Sequence, residues 1–222
     1  MTTPTVDRPG WRLLVLVPAV LACLSMIGPF SIDTPFPAFA EMEDALDTSA
    51  AQLQLVVTVY LAAFAVMSVL HGPISDAVGR RPVMVVSLTV YVVASVACAF
   101  APSLGWLLVG RAAQGLSAGG ATIVSRTVIR DLFSGATAQR LMSRVAVIFG
   151  IAPAIGPIVG GLVLQLGEWP LVFVFQAGLG VALILAVVVL LPETHPRERR
   201  TSLRVGAVVG GLAAVARRPA FH

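Results

Sequence analysis

The 222-residue chain has no lysine and no asparagine, so all 15 of its basic residues are arginine. Without asparagine there is no N-glycosylation acceptor, and the arginine bias reads as the composition of a GC-rich bacterial genome. Charge of either sign is scarce, at 12% of residues against about 25% in average soluble chains. Cysteine is limited to Cys23 and Cys98, both inside apolar runs and far from any metal-ligand spacing, so they read as small hydrophobes. Neither a metal nor a cofactor is expected. What fills the chain instead is apolar residues, 57% of the total, with a mean hydropathy of +0.92. No soluble domain of this length hides that much apolar surface, which excludes a soluble enzyme and a disordered tail. The net charge of +4 and pI near 10 do not indicate nucleic acid, because the arginines punctuate greasy runs and form no basic stripe interleaved with aromatics.

Six runs are long enough, or nearly so, to cross about 30 Å of hydrocarbon: 13–32, 53–70, 83–101, 104–124, 145–166 and 170–191. The fourth is interrupted once, by Arg111. The expected organisation is a short cytoplasmic N-terminus over 1–12, an all-α six-helix transmembrane bundle over 13–191, and a basic cytoplasmic loop over 192–222. In that loop, 205–216 is too short to cross and reads as an interfacial helix. The first run follows Arg8 and Arg12 as a signal peptide would, but it is too long and lacks a small-residue cleavage pattern, so it reads as a retained helix.

The loops divide by charge. Arg80 and Arg81 lie between spans two and three, Arg126, Arg130, Arg140 and Arg144 between four and five, and six further arginines after span six. The alternate loops carry Glu41, Glu43, Asp44, Asp47 and Glu168 and no arginine. The positive-inside bias then places both termini in the cytoplasm. Two triplets of similar length, inserted in opposite directions, would form a 3+3 inverted repeat.

Four groups of residues stand out against this background. Between spans two and three, Gly72 and Gly79 allow a turn or close approach, and Asp76 lies within reach of Arg80, Arg81 and a helix N-terminus. An ordinary basic turn is the alternative. In span four, Arg111 lies about 10 Å below the outer surface, at a cost of roughly 2.5–3.5 kcal/mol on insertion scales. It needs a partner, and Asp33 at the outer end of span one has a similar depth. The alternatives are an arginine satisfied by backbone carbonyls and an Asp33 that caps its helix in water. Span five carries Gly150, Pro153, Gly156, Pro157, Gly160 and Gly161, with a small-xxx-small face at 156 and 160 and two prolines expected to bend the helix. Finally, Gln54, Tyr60 and Gln114 are polar positions in apolar helices, facing either a substrate cavity or a neighbouring helix. His71 reads as an interfacial residue at the membrane edge.

The run Gly72-Pro73-Ile74-Ser75-Asp76-Ala77-Val78-Gly79-Arg80-Arg81-Pro82 resembles the cytoplasmic signature loop of the major facilitator superfamily, in the form found in Bcr/CflA-type drug/proton antiporters. Arg111-Ala112-Ala113-Gln114-Gly115 is similar to the fourth-helix signature, and the span-five glycines and prolines to the antiporter signature. Pro192-Glu193-Thr194 resembles the exit sequence after span six. The resemblance implies the N-terminal six-helix half of a twelve-helix transporter in a bacterial inner membrane. It implies a conformational lock at Asp76, Arg80 and Arg81, and Asp131, at the end of span four, is positioned to be an acidic partner for those arginines. It also implies proton and cationic-substrate binding at Asp33, and proton-coupled efflux of small amphipathic or cationic compounds. On this reading the chain would be a truncated or split frame whose second half is missing.

Three other readings compete. A homodimer could replace the missing half with a second copy, the protein could be an importer, or it could be a membrane-embedded enzyme. The last would need paired carboxylates, a metal cluster or a base beside a nucleophile, and three scattered histidines with one intramembrane Asp–Arg candidate supply none of these.

Overall fold

A computed structural model describes residues 15–200. The expected N-terminal segment 1–12 and interfacial helix 205–216 lie outside the described residues. Seven α-helices follow in order: α1 (Val17–Asp33), α2 (Phe39–Ala45), α3 (Ala50–Val78), α4 (Arg80–Ala99), α5 (Leu104–Leu132), α6 (Gly135–Leu164) and α7 (Pro170–Leu190). A 3-10 turn, Phe36–Ala38, joins α1 to the short α2. Pro35 and Pro37 supply no amide to continue the α-helical ladder there, which is why the chain tightens and then restarts. Ser49 and Gln52 form a reciprocal capping box that starts α3.

By length and composition, five helical stretches could cross a membrane: Val17–Ala45 (α1 with α2), α3, α4, α6 and α7. The sixth, α5, spans 29 residues, about 43 Å, but carries Arg111, Gln114 and a run of small residues that dilute its hydropathy. The reason is its position. It is the central helix, packed against α1, α3 and α4, and it has protein rather than lipid around most of its length. Ala118, Gly119, Gly120 and Ala121 are all buried, letting neighbouring backbones approach closely.

Part of the packing follows two inverted triplets, although α4 lies far more extensively on α5 than α7 does on α1. Exchanging α1 with α5, α3 with α6 and α4 with α7 maps the α1–α6 contact onto α5–α3 and the α4–α7 contact onto itself. The larger apolar cluster joins Leu21, Leu24, Ile27, Met84, Leu88, Val124 and Val128. The smaller one, toward the acidic loops, joins Met42, Leu53, Val56, Leu107 and Phe173. By contrast α3 and α6 are thinly covered and present Leu61, Val66, Val69, Val147, Ile151, Ile158 and Leu162 outward. Cys98 is buried, whereas Cys23 is exposed on the bundle surface; both are free thiols.

The segment read as a signature loop is almost entirely helical. α3 continues through Pro73 to Val78, and α4 begins at Arg80, leaving Gly79 alone as the link. Gly79 has φ +113°, a conformation in which side chains are strained, and an added Cβ would also come within 2.7 Å of Glu193 Oε2 and Arg200 Nη2. Gly72, expected to permit a turn or close approach, meets nothing within 4 Å of its hypothetical Cβ.

Candidate functional site

Arg111 is completely buried at the centre of the bundle. Its Nε donates to the carbonyl of Val56 on α3 (3.2 Å), and Nη1 donates to the carbonyl of Ser31 on α1 (3.0 Å) and to Gln114 Oε1 (2.9 Å). The guanidinium lies over the Tyr60 ring, 4.3 Å from its centroid, a favourable arrangement away from water. Nη2 is buried without a hydrogen-bond partner among the described residues.

The network extends outward from there. Gln114 Nε2 donates to Ser95 Oγ on α4 (2.6 Å) and to Gln176 Oε1 on α7 (3.0 Å). Gln176 Nε2 reaches back to the Ser31 carbonyl (3.4 Å), and the Ser31 hydroxyl bonds the Tyr91 hydroxyl. Tyr60 donates to the Gly28 carbonyl (2.9 Å). One polar core therefore ties together α1, α3, α4, α5 and α7. Tyr60 and Gln114 belong to it as interhelical partners, whereas Gln54 is exposed on α3, away from this core.

The direct Arg111–Asp33 ion pair expected from matching depth does not form. Among the described residues the ion pairs are those of Arg80 with Asp76 and with Asp131. Asp33 is only about 3 Å along the helix from Ser31, which Arg111 does contact, but about 200° around it. Depth was legible from position in the chain; azimuth was not. The half-buried Asp33 instead sits against α6, where a Cβ on Gly156 would lie 2.9 Å from Asp33 Cβ and a Cβ on Gly160 would be driven into the Thr34 carbonyl. The small-xxx-small face of α6 is thus the seat of the end of α1. Gly150 and Gly161 face open space, and Pro153 and Pro157 lie within an uninterrupted α6.

A second cluster forms at the arginine-rich end. Arg80, 6% exposed, pairs with Asp76 and, through Nε, with Asp131 Oδ2 (3.3 Å), and donates to Ser75 Oγ (2.6 Å). Arg81 takes a separate partner, the Val188 carbonyl on α7, so Asp131 serves Arg80 alone of the two. Glu193, in the segment that resembles the exit sequence after span six, accepts the backbone amides of Arg80 (3.0 Å) and Arg81 (3.3 Å) at the start of α4. Thr194 donates to Asp131 (3.0 Å). Together these contacts clip the ends of α3, α4, α5 and α7. Replacing Glu193 with alanine is expected to expose two charge-capped amides and cost about 1–2 kcal/mol. In thermal unfolding of detergent-solubilised protein that is a fall of roughly 2–8 °C in Tm, with glutamine producing a smaller loss.

His71 is buried, not interfacial: its Nδ1 lies 2.8 Å from the Met67 carbonyl, and its ring fills the space left by Gly119 and Gly120. The sequence reading also missed Ser31, Tyr91, Ser95 and Gln176. Lone polar residues in apolar helices were the available signal, but only the tertiary contacts separate them from similar exposed positions such as Thr58.

Residues 21–221 match the family model for the Major Facilitator Superfamily. A bicyclomycin resistance protein homolog of Haemophilus influenzae is 30% identical over 188 residues, 85% of this chain and 47% of that protein. Multidrug resistance protein MdtL of Klebsiella pneumoniae is 34% identical over 173 residues, 78% of this chain and 44% of that protein. The chain therefore spans about half the length of these curated relatives. A solved bacterial homolog of the human lysosomal transporter Spinster, inward-facing and unoccupied, superposes with a TM-score of 0.70 at 17% identity, covering 90% of this chain and 47% of that one. That likeness concerns the fold. With the six-helix packing described above and a family match over most of its length, this chain belongs to the major facilitator superfamily.

Proposed function

We propose that this chain forms one six-helix half of a proton-driven exporter of small amphipathic or cationic compounds, with its arginine-rich end in the cytoplasm. The observation that carries the proposal is the position of Asp33, a half-buried carboxylate held on the glycine face of α6 beside a fully buried cation core. Protonating or deprotonating a group at that junction changes the charge between α1 and α6. This is a place where a proton or a cationic substrate can be exchanged for the other. The relatives named for bicyclomycin and multidrug resistance support export of foreign compounds.

The open apolar faces of α3 and α6 would pack against a second six-helix half. The clip around Arg80 would then hold four helix ends as one rigid body while the halves rock. The site residues in this reading are Asp33, Arg111, Gln114 and Tyr60 at the core and Asp76, Arg80, Arg81 and Asp131 at the clip. Gln54 would lie on the face turned toward the other half.

Proton flux and dye export measured in inverted membrane vesicles test the assignment. Asp33→Asn is expected to reduce proton-coupled export at least tenfold, and Asp33→Glu to retain part of it. Export by Asp33→Asn at the parental rate and proton ratio would overturn it.

A further inference from the structure

The arginine-rich end of the α1–α6 junction holds two adjoining cavities. A polar one of about 140 Å³ is lined by Phe133, Thr137, Arg140 and Arg144. An apolar one of about 280 Å³ runs up between α1 and α6 past Ala19, Ala22, Val145 and Ile148. Pro18, Leu141 and Arg144 line both, so the two lie side by side along the same wall. Neither Arg140 nor Arg144 has a carboxylate within 4 Å among the described residues. Asp131, the acidic group on the adjoining end of α5, is engaged by Arg80 and Thr194. The polar cavity also lies at the start of α6, whose Ser134 makes no side-chain cap, so positive potential from the helix end adds to the arginines.

We propose that this compound cavity binds an anionic phospholipid, with the phosphate on Arg140 and Arg144 and one acyl chain in the α1–α6 groove. The charge there is complementary to an acidic headgroup. The apolar extension, which free phosphate would not use, favours a lipid over a soluble anion. The site is separate from Asp33 and Arg111, and the proposal does not depend on the direction of transport.

Native mass spectrometry and thermal shift on the detergent-solubilised chain provide the test, with phosphatidylglycerol, phosphatidylcholine and inorganic phosphate as the added species. Phosphatidylglycerol is expected to be retained at least tenfold more strongly than phosphatidylcholine, with no stabilisation by phosphate alone. R140Q/R144Q should weaken phosphatidylglycerol binding about tenfold to thirtyfold. Ala19→Leu, an exposed substitution that fills the groove and leaves the charges in place, should weaken it several-fold, whereas Arg130→Gln should not. Equal retention of the two lipids, stabilisation by phosphate matching that by phosphatidylglycerol, or unchanged binding in both R140Q/R144Q and Ala19→Leu would each overturn the proposal.

Discussion

Replacing Gly160 with alanine is expected to push α6 away from α1 and destabilise the bundle by about 3 kcal/mol or more. The added methyl meets the Thr34 carbonyl, which is backbone and cannot rotate aside as a flexible side chain could. Overpacking of ordinary cores costs about 1–3 kcal/mol. Gly156→Ala meets Asp33 Cβ at 2.9 Å and should fall within that range. Gly150→Ala and Gly161→Ala have nothing within 4 Å, so each should lie within about 0.5 kcal/mol of the parent or gain slightly from the better helix propensity of alanine. Thermal unfolding of the four variants in detergent reads the contrast directly. Equal losses at all four positions would show that the α1 contact does not govern this segment, since helix propensity alone would make each of these substitutions stabilising. Preserved stability with lost export at Gly150 or Gly161 would support a second half that packs on the open face of α6.

Arg111→Met is expected to lower stability by about 2–4 kcal/mol, seen as a fall of roughly 5–15 °C in Tm. The substitution removes the guanidinium donors to the carbonyls of Ser31 and Val56 and to Gln114 Oε1, leaving Ser31 with only the long Gln176 contact (3.4 Å) and Val56 with only its own helix, and a buried group that loses its partner costs about 1–3 kcal/mol. Measured interhelical hydrogen bonds in membranes average nearer 0.6 kcal/mol, so the lower part of the range is favoured if α1 and α3 relax toward one another. Arg111→Lys keeps the charge but not the planar fork that reaches two helices and Gln114 at once, and should recover only part of the loss. Because Asp33 does not pair with Arg111, a double-mutant cycle between Asp33→Asn and Arg111→Met should show a stability coupling below about 0.5 kcal/mol. A coupling above about 1 kcal/mol would restore the direct pair.

The contrast between the two charged sites shows what could be read in advance. Asp76, Arg80 and Asp131 were identifiable because charges at the ends of apolar runs have few places to go. Arg80 does find both carboxylates. The role of Glu193 is not legible in the sequence because its partners are backbone amides, and a peptide N–H leaves no mark in residue identity. Gly72 and Gly79 look equivalent in the sequence, yet only Gly79 needs its freedom, since the helix continues to Val78 and turns on one residue. Arg111 was recognisable as costly by its depth alone, and the possibility that carbonyls satisfy it proved close to the observed arrangement.

Composition and hydropathy were enough to determine the class and the apolar spans, and to separate an arginine-rich end from an acidic one, because burying apolar length and leaving charge at the edges are one-dimensional problems. The tertiary structure decided which faces meet: that Asp33 turns toward α6 rather than Arg111, that only two of the four signature glycines carry a contact, and that Gln114, Gln176, Ser95 and Tyr91 join one network. Rotation about a helix axis is set by packing among all six spans together. A residue's place along the chain gives its depth but leaves its neighbour across the bundle undetermined.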